Sequence, residues 1–104
     1  MPEVAHIRVF DITAQNTLKN GRVVLKMDPG VPDGFRIDTL GRIYSSAADG
    51  IHVYTPKGEL LGKILTPERT TNCVFGGPGK HSLFIMAVGN VYRVTLASVG
   101  ALTP

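Results

Sequence analysis

The sequence predicts an all-β protein built from four-stranded antiparallel meanders, the unit of a propeller blade. Short runs rich in Val, Ile, Tyr and Phe alternate with turn residues, and the chain has 12 glycines and 7 prolines. Asp49-Gly50 separates two apolar runs and predicts a hairpin with a type I′ turn. Val53-Tyr54 recurs 38 positions later as Val91-Tyr92, and Val9-Phe10 lies 44 positions earlier. These spacings indicate a repeat of about 40 residues.

Alternation of apolar and polar residues predicts each strand in turn. The predicted strands are His6–Ile12, Arg22–Met27, Phe35–Ile37, Ile43–Ser45, Ile51–Tyr54, Leu60–Leu65, Asn72–Gly76, Ser82–Met86 and Val91–Leu96. Asn20-Gly21 supplies a turn signal between the first two strands. Pro29 and Pro32 favour an extended link before the third strand.

This strand order predicts a single β domain over residues 1–104, in three parts. Residues 5–28 would form the outer hairpin of one blade, residues 33–66 a complete blade, and residues 71–96 three strands of a further blade. Open sheet edges promote aggregation unless something covers them. The sequence therefore predicts a partial propeller completed by oligomerisation, as a homo-oligomer that is either a trimer or a dimer.

Composition excludes several classes of function. A hydrophobic content of 43% with 18% charged residues is typical of an ordinary globular protein. The net charge is +3, but the 11 basic residues are scattered, whereas nucleic-acid binding needs a concentrated basic footprint. No apolar run approaches the ~20 residues of a membrane helix. A start without a secretory signal pattern and a single cysteine favour a cytoplasmic protein without nucleic-acid or membrane partners.

Asp33 is the main candidate for chemistry. It lies in Val31–Gly34, where a stiff turn places a carboxylate just before a strand. On spacing alone, a turn residue that bonds nearby backbone N–H groups is the favoured interpretation. Asn72 begins an inner strand of the second repeat, so its amide could contact a substrate or bond the backbone at the strand start.

The remaining candidate residues are predicted to have structural roles. Cys73 has no His or Asn in a nucleophile motif, so a buried thiol is expected. Asp38 and Asp49 fall in turns. Gly76–Lys80 fails as a phosphate loop and is interpreted as a turn. The histidines lack metal-ligand spacing: His6, His52 and His81.

Several segments together resemble a known family. VPDGFRID, GRIY, GIHVYTPKGELLGKI, TTNCVFGG and LFIMAVGNVYRV are similar to the C-terminal part of the gluconolactonase and senescence-marker-protein family, also called regucalcin-like. HIRVFDI and NGRVV resemble the segment just before it. Members of that family form six-bladed β-propellers of roughly three times this length. They hydrolyse sugar lactones with one divalent cation at the top of the central channel.

The resemblance implies roles for particular residues. Asp33 corresponds to the family's metal-binding and catalytic base aspartate. A cation there would polarise the lactone carbonyl and lower the pKa of an attacking water. Calcium, zinc, magnesium or manganese would suit such oxygen ligands. The family's other ligands are a glutamate near the N-terminus and an asparagine in an Asn-Gly motif, and neither Glu3 nor Asn20 matches them. Asp33 would thus be a ligand only if other chains supplied the rest.

Two functions follow as expectations. The first is a metal-dependent hydrolase of a small-molecule sugar lactone, active only when the propeller and the metal site are completed. The alternative is a non-catalytic binding or structural module that has lost the metal site.

Overall fold

The computed structural model describes residues 5–101 and confirms the all-β class. Its strands are β1 (Ala5–Ile12), β2 (Leu18–Met27), β3 (Phe35–Ile37), β4 (Ile43–Ser46), β5 (Gly50–Tyr54), β6 (Leu60–Leu65), β7 (Thr70–Gly76), β8 (Ser82–Ala87) and β9 (Asn90–Thr95). A short 3-10 turn at Pro78–Lys80 separates β7 from β8. In the described part of the chain, no helix is long and apolar enough to cross a membrane. Glu3 lies outside the described residues.

The nine strands form three antiparallel sheets, and every strand pairs with its neighbour in the chain. β1 and β2 form the first sheet, β3 to β6 form a four-stranded central sheet, and β7 to β9 form the third. The molecule is flattened, with extents of 41 × 40 × 22 Å. The central sheet lies between the other two, which pack on its opposite faces.

The first hairpin turns earlier than the sequence predicted. The turn is made by residues 13–17, where Thr13 N donates to Thr17 O at 2.9 Å. Asn20 instead lies inside β2 with φ 56°. It falls in the register shift between the pairs Val9–Arg22 and Asp11–Lys19. Asn tolerates this left-handed conformation, which suits a β-bulge as well as a turn. The predicted turn at Asn20-Gly21 was therefore wrong, and β2 begins at Leu18.

The hairpin at Asp49-Gly50 is confirmed, but its turn is not type I′. Residues 47–49 connect β4 to β5, and Ala47 N donates to Gly50 O at 2.9 Å. Gly50 has φ 146°, whereas Asp49 is not among the residues with positive φ. A type I′ turn requires positive φ at both central residues. The longer loop leaves the Asp49 carboxylate free to bind His52 Nε2 at 2.6 Å and Lys63 Nζ at 3.2 Å.

Two hydrophobic clusters cover opposite faces of the central sheet. The first core cluster contains Leu25, Met27, Ile43, Ala47 and Tyr54. The second core cluster contains Tyr44, Ile51, Cys73, Leu83 and Ile85. Because successive strand residues point to opposite faces, neighbours in β4 enter different clusters. The central sheet is consequently packed on both sides, against β2 on one face and against β7 and β8 on the other.

The residues after β9 bond the end of β3 and so join the third sheet to the central one. Thr39 N donates to Val99 O at 2.8 Å, and Ala101 N donates to Ile37 O at 2.9 Å. Gly100 forms an isolated antiparallel bridge with Asp38. We call residues 98–101 the C-terminal clasp. The clasp joins the end of the chain's third sheet to the end of β3.

Asp38 lies at the centre of a buried polar network under the clasp. Its carboxylate accepts hydrogen bonds from Leu40 N (3.0 Å), Arg42 N (2.9 Å), Arg42 Nε (2.7 Å) and the Tyr44 hydroxyl (3.0 Å). Ser98 Oγ lies 2.8 Å from the Tyr44 hydroxyl and 3.0 Å from Arg42 Nη2. Burial alone would raise the pKa of Asp38, but the hydrogen bonds, led by that from Arg42, outweigh it and lower the pKa. The Asp38 carboxylate thus stays ionised, and its role is structural.

Replacing Asp38 with Asn should lower the free energy of unfolding by about 2 kcal/mol, because the amide cannot accept all the buried hydrogen bonds. The sign of the pH dependence follows from the lowered pKa. The stabilisation by Asp38 is present above the unfolded pKa near 3.8 and is lost as pH falls through the lower folded value. Urea unfolding of the parent and of Asp38→Asn at neutral and acid pH measures this stability difference and its pH dependence.

The matched control is Asp11→Asn, which removes an exposed pair with Arg22 at 3.5 Å. Exposed pairs contribute little, so this variant should unfold close to the parent. A stability difference between the parent and Asp38→Asn that stays constant as the solution is acidified would contradict the assignment.

Candidate active site

The Asp33 side chain is exposed on the loop that leads from β2 into β3. The backbone beneath it is held by Ser46, a fully buried residue at the end of β4. Ser46 Oγ accepts hydrogen bonds from Asp33 N and Gly34 N, both at 3.0 Å. Ser46 N donates in return to Gly34 O at 2.9 Å. Three hydrogen bonds to one strand residue therefore fix the position from which the carboxylate projects.

Asn72 lies against the same turn. A Cβ placed on Gly34 would be 2.3 Å from Asn72 Oδ1 and 3.0 Å from Asn72 Cα, so the turn is in close contact with β7. Asn72 is exposed, and its Oδ1 accepts a hydrogen bond from Cys73 N at 2.8 Å. The structure therefore brings the two predicted site residues into neighbouring positions, although they are far apart in sequence. The amide oxygen bonds the backbone, and the Nδ2 donor is the group left to face a ligand.

Ser46 is the positioning residue that the sequence did not reveal. Its sequence context, a pair of serines at the end of a short strand, carries no motif. Its role depends on β4 running beside the start of β3, which places the hydroxyl next to N–H groups 12 and 13 residues earlier. A buried Ser opposite a Pro-Asp-Gly turn is a signal only once the strand pairing is known.

Two of the three histidines, His52 and His81, have structural partners. His52 is buried, with Nε2 at 2.6 Å from Asp49 Oδ1 and Nδ1 at 3.3 Å from the Tyr54 hydroxyl. His81 Nδ1 lies 3.1 Å from Leu96 O and 3.0 Å from the Ser98 carbonyl oxygen. Neither ring lies at the Asp33 turn.

Asp33 is the residue that the family resemblance implies as a metal ligand. Within residues 5–101 there is no group of three or more His, Cys, Asp or Glu side chains that could hold a metal ion. Asp33 offers one carboxylate, and the Asn72 oxygen already accepts a backbone hydrogen bond. A divalent cation needs several oxygen ligands. The described residues alone therefore do not fit the cation that the family resemblance implies.

Comparisons with known proteins agree with the motifs of the Asp33 region. The SMP-30/Gluconolactonase/LRE-like region matches residues 3–89. The chain belongs to this family. It is 42% identical over 73 residues to a gluconolactonase of Zymomonas mobilis, covering 68% of this chain and 20% of that protein. It is 36% identical over 86 residues to regucalcin of Danio rerio, covering 76% of this chain and 29% of that protein.

A solved structure shows the same fold in this family. A gluconolactonase of Xanthomonas campestris superposes with a TM-score of 0.81 and 32% identity, over 88% of this chain and 30% of that one. The family member described here thus spans between a fifth and a third of the length of these relatives. The all-β class and the family resemblance are both confirmed.

The thiol of Cys73 should react slowly in the folded protein. The side chain is fully buried in the second core cluster, and burial raises its pKa from 9.0 to about 11. Since each pKa unit changes the thiolate fraction tenfold, labelling should be about a hundredfold slower than in the unfolded chain. A chromogenic thiol reagent, used with and without denaturant, measures both rates. Equal labelling rates with and without denaturant would show that the second core cluster is accessible to the reagent.

Gly34→Ala should destabilise the protein and displace Asn72, because the new methyl would meet both its amide and its backbone. The matched control is Gly62→Ala in β6, where a Cβ meets nothing within 4 Å. Removing backbone freedom at an unstrained glycine stabilises by about 0.4–1 kcal/mol. Thermal unfolding should therefore shift in opposite directions for the two variants. Equal shifts would mean that the Asp33 turn does not contact β7.

Proposed function

We propose that the chain is a segment of a sugar-lactone hydrolase in which Asp33 is the general base. The observation that carries this proposal is the Asp33 turn itself. An exposed carboxylate is mounted on a backbone held by Ser46, with the Asn72 amide against the adjacent Gly34. Family relatives named as gluconolactonases support the choice of a small-molecule lactone as substrate.

The reaction assigned to this site is addition of water to the lactone carbonyl. The water oxygen bonds to the carbonyl carbon while its proton passes to the Asp33 carboxylate. The ring C–O bond then breaks, and the proton is returned to the departing ring oxygen, which gives a hydroxy acid. Asn72 Nδ2 would orient the substrate by donating to one of its oxygens. A carboxylate fixed within hydrogen-bond reach of the water is what general-base catalysis requires.

The cation of the family's active site would need ligands from outside the described residues. We infer that Asp33 supplies one oxygen ligand to calcium, zinc, magnesium or manganese, and that other segments of a six-bladed ring supply the rest. In this proposal β3 to β6 form one complete blade, β1 and β2 the outer part of the preceding blade, and β7 to β9 three strands of the next. The missing segments come from further copies of the chain, in a trimer or a dimer.

A second function is favoured by one specific observation. Among the described residues, Asp33 does not belong to any group of three or more acidic, histidine or cysteine side chains that could hold a metal ion. A chain that retains the fold but not the complete set of ligands would be a non-catalytic binding or structural module. A lactonase assay separates the two proposals.

Asp33→Asn should reduce lactone hydrolysis by at least about a hundredfold, because a neutral amide cannot accept the proton of the water. Hydrolysis of gluconolactone would be followed by acid release, with each of the four cations added in turn. The matched control is Glu59→Gln, which removes an exposed carboxylate in the turn between β5 and β6. Full activity of Asp33→Asn would remove this residue from the mechanism. An inactive parent with all four cations would favour the non-catalytic module.

A further inference from the structure

A buried hydroxyl, that of Thr70, lies close to the candidate active site. Thr70 is 2% exposed and begins β7, two positions before Asn72. Its Oγ1 accepts a hydrogen bond from Ala47 N at 3.1 Å and donates to the carbonyl oxygens of Gly50 and Ala47, at 2.5 Å and 3.0 Å. Thr70 N also donates to Ala47 O at 3.2 Å. The residue therefore fastens the start of β7 to the turn between β4 and β5.

The end of β4 holds both site residues. Ser46 accepts the hydrogen bonds of the Asp33 turn, and Ala47, the next residue, is the one that Thr70 binds. Ala47 is fully buried in the first core cluster, so this attachment point is fixed by hydrophobic packing. The two site residues, Asp33 and Asn72, are thus held by consecutive residues of one buried segment.

The pairing of β7 with β8 does not by itself fix the position of Asn72. Thr70 and Asn72 pair with consecutive residues of β8, so Thr71 between them is the extra residue of a β-bulge. A bulge bends its strand and redirects the side chains beside it. After the bulge, β7 is anchored by Cys73, which is fully buried in the second core cluster. Before the bulge, the anchor is Thr70.

We propose that Thr70 is a positioning residue whose hydroxyl sets the place of the Asn72 amide relative to the Asp33 carboxylate. The hydroxyl and the backbone of Thr70 together hold the turn at several points, so the start of β7 cannot rotate about any one of them. Without the hydroxyl, the bond from Thr70 N to Ala47 O remains and acts as a hinge. The inference rests on the proposed function, in which Asn72 orients the lactone and Asp33 takes the proton of the water.

Thr70→Val removes the hydroxyl and keeps the branched shape of the side chain. A buried backbone group left without a partner would cost stability, but Ala47 N still bonds Gly50 O at 2.9 Å and Ala47 O still bonds Thr70 N. The variant should therefore fold. Thr70→Ser keeps the hydroxyl and should retain the parent geometry. The matched control is Thr55→Val, which removes a hydroxyl that accepts a bond from Glu59 N at 3.0 Å, in the turn at the opposite end of the central sheet.

Nuclear magnetic resonance measures the position of Asn72 without any need for activity. Gly34 and Asn72 are in close contact in the parent, so their protons should give a nuclear Overhauser effect. This signal should be lost in Thr70→Val and kept in the other two variants. A second signal, between the rings of Tyr44 and Phe75, should stay in all four proteins, because those ring centroids lie 5.0 Å apart in the core.

The kinetics of lactone hydrolysis separate positioning from general stability. Thr70→Val should lower kcat/KM by about tenfold to a hundredfold, because misplacing a substrate-orienting group by about 1 Å costs this much. KM should rise by a larger factor than kcat falls, since Ser46 still holds Asp33. In a chain that already carries Asn72→Ala, the change at Thr70 should have little further effect, because residues that act through one group are not additive.

The outcomes distinguish this inference from the proposed function. Loss of the Gly34–Asn72 signal in Thr70→Val supports the inference even when the parent hydrolyses no lactone, a result that would remove the proposed function. A Gly34–Asn72 signal that persists in Thr70→Val would overturn the inference, as would its loss in Thr70→Ser. Equal losses of hydrolysis with and without Asn72→Ala would overturn it as well. So would an unfolded Thr70→Val protein, because Thr70 would then serve stability rather than the placement of one side chain.

Discussion

Burial of the central sheet on both faces is the constraint on which the rest of the structure depends. Successive residues of β4 enter opposite clusters, Ile43 the first and Tyr44 the second. A strand locked in this way cannot shift register, because a slip of one residue would exchange its two faces. Ser46 ends that strand and holds the turn of Asp33. The position of the candidate base is therefore set by hydrophobic packing rather than by the loop that carries it.

Much of the architecture could be predicted from local patterns. Turn glycines and alternation placed all nine strands to within a few residues, and the Asp33 and Asn72 motifs identified the family. The failures were contacts between distant residues. The polar sequence around Asn20 is compatible with a turn or a bulge, and pairing with β1 selected the bulge. Ser46 could not be found because its partners depend on how β4 lies beside the turn before β3.

The same distinction applies to the site. Sequence motifs indicated Asp33 and Asn72 as separate candidates, and folding made them neighbours through the contact of Gly34 with β7. Cation binding also depends on residues that folding brings together, and within the described residues Asp33 is not part of any group of three or more His, Cys, Asp or Glu side chains.

The C-terminal clasp has a consequence for the order in which the protein forms. Ser98 belongs to the network around Asp38, about 60 positions earlier in the chain, and Ala101 bonds the end of β3. Contacts of such high sequence separation form late because closing a long loop costs entropy. During synthesis the central sheet emerges from the ribosome well before Ser98. All four donors to the Asp38 carboxylate lie within six residues of it, so the clasp closes over a carboxylate that already has its partners.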